Sequence, residues 1–366
     1  MQINILDAVF QTALFTSFLI AGIIISSKKD TSPHGLNHSR SNELKGLAVL
    51  MVIFSHIGYF LFTDHRFLFP LSIAAGVGVN IFLFLSGFGL TSSEIGSNKS
   101  IFVFYKKRLK AIYIPMWLVL GLILLLDYFL LKKSYDLTAV FYSFVGFFPV
   151  ADIYKSLNSP LWYFSLILFY YLIFPLIYRR NRLLLSVVGV LLISLVVMKF
   201  NLPVAKDVLK LYQLHYLSFP IGMFFAYLKF KGFGVLMRER LKNLFPNTFV
   251  RDLVRYISIA LLLFVFSYTA INSGIGKSLM IEQSISIITM LSITLIFILK
   301  DTRSELLSII GVYSYEIYLI QWPILYRYDF IYKHVPAFLG TILYLGLFIL
   351  IAFVLNRISK WKVRHS

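Results

Sequence analysis

A lysine and a histidine stand eleven residues apart within one apolar run, Lys45 in Leu44-Lys45-Gly46 and His56 in Val52-Ile53-Phe54-Ser55-His56. Imidazole titrates near neutrality, so a positioned histidine can take a proton from a reacting hydroxyl and return it to a leaving group. Eleven residues make about three helical turns, which puts His56 on the face of Lys45 about 16 Å further along the axis. That spacing suits a long ligand with an anionic head, held by the ammonium at one end and reacting near the imidazole at the other. The same pair admits a plainer reading. Lys45 would then be a snorkelling anchor and His56 a core histidine bonded to a neighbouring helix.

Other residues of chemical interest follow in order. Asn80 and Ser86 lie in a stretch rich in small residues, from Gly76 and Gly78 to Gly87 and Gly89, where helices can approach closely and the two polar groups can bond across. Lys106, Lys107, Arg108 and Lys110 precede Pro115, which is expected near the start of the next helix. Such a cluster is either a phosphate grip or a topological signal meeting anionic lipid. Glu316 and Gln321 sit inside an apolar run and need polar partners there. No residue set suggests a metal site.

These residues must be carried by elements that live in lipid. Of the 366 residues, 59% are hydrophobic and 14% charged, with a mean hydropathy of +0.81. A soluble domain is closer to a quarter charged. Apolar runs of spanning length fall at about 3–27, 44–63, 73–92, 112–131, 161–178, 183–199, 212–229, 256–272, 281–299, 308–326 and 338–356, which predicts about eleven transmembrane helices. The runs are continuous rather than alternating, which argues against a β-barrel. The aromatic segment 138–149 is too short to span and reads as interfacial or re-entrant. The basic loop 230–255 has room for a short surface helix. The first run lacks a basic leader and a clear cleavage site, so an uncleaved first helix is expected.

The net charge of +19 would suggest nucleic acid in a soluble protein. Here the charge is sorted by loop. One side collects the cations near residues 28–45, 99–110, 179–182, 229–255, 300–303 and 357–364, and the other side holds far fewer. The positive-inside rule makes the rich side cytoplasmic, with the N-terminus outside and the C-terminus inside. Nucleic acid is not an expected partner; the bilayer is. The chain has no cysteine, which excludes disulfides, thiolate metal sites and a thiol acyl-enzyme.

Taken in order, the motifs resemble those of acyltransferase family 3, a family of membrane acyltransferases. They are Leu44-Lys45-Gly46-Leu47-Ala48 with His56, then Gly78-Val79 through Phe82 and Ser86-Gly87-Phe88, and the basic segment before Pro115. Leu161-Trp162 with Tyr171 and Phe174-Pro175 comes next, followed by Phe219-Pro220-Ile221-Gly222-Met223 and by Ser314-Tyr315 with Tyr318-Leu319. The resemblance spans about residues 40 to 356. It implies an all-α, polytopic integral membrane protein: a ten-helix acyltransferase core over 44–356, one extra N-terminal transmembrane helix and cytoplasmic linker over 1–43, and a basic cytoplasmic tail over 357–366. It also implies that Lys45 and His56 are the functional pair. The sequence departs from the family's commonest pattern in having Lys45 for arginine, Ala111 for a second arginine, Ile167 for a glutamate, and Gln321 for a histidine.

The resemblance implies an O-acyltransferase of the inner (plasma) membrane. It would move an acyl group, acetyl above all, from cytoplasmic acetyl-CoA or another acyl-CoA to a hydroxyl of an extracytoplasmic or lipid-linked glycan. Lys45, Lys107, Arg108 and Lys110 are then expected to hold the donor's phosphates, and His56 to act as general base. A covalent acyl-histidine is the less favoured route. Asn80, Ser86, Glu316 and Gln321 are candidates for acceptor or oxyanion contacts. The rival reading is a transporter or flippase with His56 as proton relay; the absence of an inverted repeat counts against it.

Overall fold

The computed structural model describes residues 3–30, 35–95, 100–148, 152, 154, 156–200, 206–274 and 276–365. The expected loop cations Lys99 and Lys155, and Pro149 at the end of the short aromatic segment, lie outside them. The helices are α1 (Ala8–Ile25), α2 (His38–Ser55), α3 (Ala75–Ile95), α4 (Ile101–Leu131), α5 (Leu137–Val145), α6 (Trp162–Ile177), α7 (Leu183–Lys199) and α8 (Lys206–His215). They continue with α9 (Ser218–Phe230), α10 (Phe233–Leu244), α11 (Thr248–Ile271), α12 (Leu279–Leu299), α13 (Glu305–Val312), α14 (Ser314–Arg327) and α15 (Ala337–His365). One short antiparallel pair, β1 (Ser27–Lys29) with β2 (Thr302–Ser304), ties the end of α1 to the start of α13. The protein is an all-α polytopic membrane protein.

Among the described residues, 8 helices are long and apolar enough to cross a membrane, and 9 if the pair Val208–Phe230 and Phe233–Leu244, bent by 60°, counts as one span. All eleven expected apolar runs are helical, but three do not make a full-length straight span. The run at 161–178 gives α6 of 16 residues. The run at 212–229 is interrupted between α8 and α9, and that at 308–326 between α13 and α14. Hydropathy reads composition and is blind to such breaks.

Two helices begin earlier than their apolar runs. Asn37 caps α2 by accepting from the Arg40 N–H at 2.9 Å, so the polar residues 38–43 are already helical. Ser100 caps α4 in the same way. The basic cluster 106–110 therefore lies within α4, because lysine and arginine are good helix formers. Pro115 correspondingly sits inside α4 rather than near its start. In the turn that proline loosens, the Ile112 carbonyl accepts from Tyr315 Oη at 2.6 Å. Segment 137–145 forms the 9-residue helix α5, capped by Asp136 and ended by Gly146 in the left-handed region at φ 88°. The loop 230–255 carries the exposed helix α10.

The bundle is built around α2 and α3, its most buried spans, while α11 faces outward along nearly its whole length. Small residues set the central crossings. A Cβ at Gly46 would overlap the Leu307 carbonyl, and one at Gly311 the Asn42 carbonyl, so α2 and α13 meet backbone to backbone. Gly87 and Gly222 do the same for α3 and α9. Without a hydrophobic drive between helices in lipid, such close contact supplies the dispersion energy of association.

Polar clusters fix the two ends. Arg40 is fully buried and donates to Asp30 Oδ2 at 3.1 Å and to the carbonyls of Gly35, Ile298 and Lys300 at 3.0–3.1 Å. Glu43 accepts from Lys300 Nζ at 2.7 Å and from the Ser304 N–H at 2.6 Å. Towards the opposite end, buried Asp127 receives Arg327 Nη1 at 2.6 Å and Tyr135 Oη at 2.5 Å. Arg327 also donates to the Ser156 and Leu157 carbonyls, both at 2.6 Å. Asn158 follows with a 2.8 Å bond to the Leu319 carbonyl. This stitching holds the approach to Pro160 and Trp162 against α14.

Candidate active site

His56 stands where α2 changes register. The helix is regular through Ser55 and continues as a π-helical turn over His56–Leu61. Such turns widen the helix and place a side chain where a regular turn would not. Ser55 Oγ accepts from the Ala75 N–H at 3.1 Å, which anchors the change of register to the start of α3.

The ring is buried, and its Nδ1 lies 2.8 Å from Gln321 Oε1 of α14. An amide oxygen can only accept, so in this arrangement Nδ1 carries the proton and Nε2 keeps the lone pair. Trp322 packs on the ring, with centroids 5.0 Å apart. Nε2 has no hydrogen-bond partner among the described residues. The histidine lines a cavity of about 270 Å³, shared with Trp162, His215, Glu282, Ser286 and Tyr318.

Lys45 lies on the same helix but does not line that cavity. Half-buried, it lies close enough to Arg108 of α4 for the two charges to repel. Among the described residues neither makes an ion pair with a carboxylate; Arg108 reaches Ser93 Oγ at 3.4 Å. Lys107 is exposed and Lys110 half-buried on the same helix.

Between cations and cavity runs a file of hydroxyls. Tyr171 lies within the field of Arg108 and near Ser86. Ser86 is also near Tyr163, whose ring meets that of Tyr318 edge-on at 5.5 Å. Tyr318 lines the cavity and donates to the Pro160 carbonyl.

The remaining expected residues fall in different places. Gln321 touches His56 directly. Asn80 is fully buried behind the cavity wall, with Oδ1 2.8 Å from His215 Nδ1 and 2.7 Å from Ser218 Oγ, while its Nδ2 donates to Ser286 Oγ at 2.7 Å. Glu316 points elsewhere. It accepts from Asn356 Nδ2 at 2.6 Å and joins α14 to α15, away from the cavity lining.

Sequence reasoning passed over His215 and Glu282. The signal that singles out His56, an ionisable group inside an apolar run, applies equally to His215 in the run at 212–229. Glu282 stands at the head of α12, where its Oε1 accepts from the Gly276 and Lys277 N–H groups at 2.7 and 2.8 Å. Among the described residues no group of three or more His, Cys, Asp or Glu is placed to hold a metal.

Comparison with known proteins adds one positive finding. The model of a family described as an acyltransferase domain matches residues 42–357, from the second turn of α2 to within α15. No curated protein and no solved structure matches the chain significantly. The matched region holds both ends of the bundle, the basic cluster and the histidine cavity, and on that match the chain belongs to acyltransferase family 3 as a multi-pass membrane acyltransferase.

Proposed function

We propose that the protein transfers an acyl group, acetyl above all, from cytoplasmic acyl-CoA to a hydroxyl of an extracytoplasmic or lipid-linked glycan, with His56 as general base. The observation that carries this reading is the 2.8 Å contact of His56 Nδ1 with Gln321 Oε1, which leaves Nε2 as the lone-pair nitrogen at the cavity.

In the step, the acceptor oxygen attacks the thioester carbonyl carbon as Nε2 takes the hydroxyl proton. The C–O bond forms and the C–S bond breaks. The thiolate of CoA leaves and recovers the proton from the imidazolium, so the histidine ends as it began. The positive charge that develops on the ring meets the Gln321 carbonyl dipole at Nδ1–H.

Lys45 and Arg108 support the donor's place. Two cations held close together without a carboxylate repel each other, and an anionic ligand between them turns that cost into affinity. Lys107 and Lys110 add positive charge to the same stretch of α4, and the diphosphate of CoA is an anion of the right kind. The Tyr171, Ser86, Tyr163 and Tyr318 hydroxyls offer polar contacts for the extended pantetheine arm between the cations and His56. The cavity's Tyr59 and Gly274 rim belongs to the end of the bundle that the charge bias assigns to the outside, so the acceptor enters there.

The test is acyl transfer by purified protein. His56→Ala is expected to lower kcat by roughly 10²–10⁴, the usual worth of a general base, with binding of acetyl-CoA retained. Full transfer activity in the alanine form would overturn the mechanism.

A further inference from the structure

A second histidine faces the same cavity, and it repeats the arrangement of the first. His215 ends α8, where the chain breaks before α9 begins at Ser218. The break is stabilised from outside, since Tyr170 Oη donates to the freed Tyr216 carbonyl at 2.7 Å. His215 Nδ1 lies 2.8 Å from Asn80 Oδ1, as His56 Nδ1 lies 2.8 Å from Gln321 Oε1.

The Asn80 amide is bonded at both of its polar atoms. Its oxygen also accepts from Ser218 Oγ, and its Nδ2 donates to Ser286 Oγ. With the oxygen facing the ring, His215 Nδ1 holds the proton and Nε2 is an acceptor. Nε2 has no hydrogen-bond partner among the described residues, although the residue is 4% exposed and lines the cavity. Trp162 stacks on the ring at 5.6 Å and 21° and lines the cavity too. A purely structural histidine would have both nitrogens satisfied or one turned to solvent.

We infer that His215 is a second functional histidine, whose Nε2 accepts a hydrogen bond from the acyl acceptor and so seats it for attack. The acceptor class is a pyranoside bearing neighbouring hydroxyls: His56 takes the proton of the reacting one, His215 holds another, and Trp162 supplies an apolar wall. The inference rests on the acyl-transfer reading for the role of His56, whereas the subsite itself is a binding claim.

Two substitutions separate binding from packing. His215→Asn keeps a donor near the Nδ1 position for Asn80 and removes the acceptor facing the cavity. His215→Gln reaches the Nε2 position with an amide oxygen. The probes are the methyl glycosides of glucose, galactose, mannose and N-acetylglucosamine. Carbethoxylation of His215 by diethylpyrocarbonate, mapped by mass spectrometry on the wild-type protein, reads occupancy of Nε2 without any need for turnover.

At least one glycoside is expected to slow labelling of His215 about fivefold or more. For that glycoside, His215→Asn should raise the acceptor KM about tenfold, as expected for one lost hydrogen bond in a closed site. The KM for acetyl-CoA should stay unchanged and His215→Gln should recover part of the loss. Labelling of His215 indifferent to all these glycosides, or an asparagine variant with wild-type acceptor KM, would overturn the subsite. Protection of His215 in a wild-type protein that transfers no acyl group would overturn the acyl-transfer reading instead and leave the subsite standing.

Discussion

An imidazole acts as a base through the nitrogen that carries no proton, so the partner of the other nitrogen decides what the ring can do. For His56 that partner is Gln321, whose Oε1 is engaged while its buried Nε2 has no partner among the described residues. Gln321→Leu removes the lock on Nδ1–H and the unpaired amide nitrogen together. Leaving Nδ1–H unsatisfied costs about 1–3 kcal/mol, and deleting the unpaired Nε2 offsets much of it. The variant is therefore expected to melt within a few degrees of wild type while kcat falls by about 10–100-fold, the usual effect of losing a histidine's orienting partner. Wild-type kcat in Gln321→Leu would show that the contact does not set the tautomer. His56 itself was legible in the sequence, because an ionisable group in an apolar run demands an explanation. Its partner was not, since 265 residues separate the two and spacing along a chain says nothing about which distant helix will face it. His215 and Glu282 were legible by the same rule and were overlooked. Glu316 shows the rule's other outcome: it found a structural partner in Asn356 and stands apart from the cavity.

Helices carry these side chains to one place through close crossings, and the glycines differ in what they permit. Gly87 of α3 abuts the Phe219 carbonyl and the Met223 N–H of α9, whereas Gly89, two residues on, is exposed and has nothing within 4 Å of where a Cβ would stand. Gly87→Val must push two backbones apart, and overpacking of this kind costs about 1–3 kcal/mol. Gly89→Ala meets no neighbour and is expected to leave stability unchanged or raise it by up to ~1 kcal/mol through helix propensity. Thermal unfolding in detergent checks both. Equal melting temperatures for the two variants would mean that the α3–α9 contact is not close-packed. In the small-residue stretch Gly78 and Gly87 abut neighbouring backbones, whereas Asn80 bonds His215. Spans were legible from hydropathy because length and apolarity are properties of composition. The early starts of α2 and α4 were not, since caps and polar first turns lie outside the apolar window. Nor were the breaks at 216–217 and 313, where a local departure from helical geometry leaves hydropathy unchanged.

Across the whole molecule, the two candidate regions sit towards opposite ends of one bundle, the paired cations Lys45 and Arg108 and the cavity holding His56 and His215. The distribution of basic loops predicts which end faces the cytoplasm, and the acyl-CoA reading depends on it, because CoA is found on that side. The chain has no cysteine, so a single introduced thiol is a unique reporter. Lys231 and Lys333 are both exposed and lie in loops of opposite expected sidedness, Lys231 between α9 and α10 and Lys333 between α14 and α15. In intact cells a membrane-impermeant maleimide is expected to label Lys333→Cys and to spare Lys231→Cys until the membrane is opened. Removing one lysine barely alters the loop bias, since each basic residue near the bilayer surface contributes only about 1 kcal/mol, so the substitutions should not themselves invert the protein. The reversed pattern would place Lys45 and Arg108 outside, away from any CoA, and the donor assignment would fall with it. Labelling as expected puts Lys45 and Arg108 on the side where CoA is found, as the proposed entry of donor and acceptor from opposite faces requires.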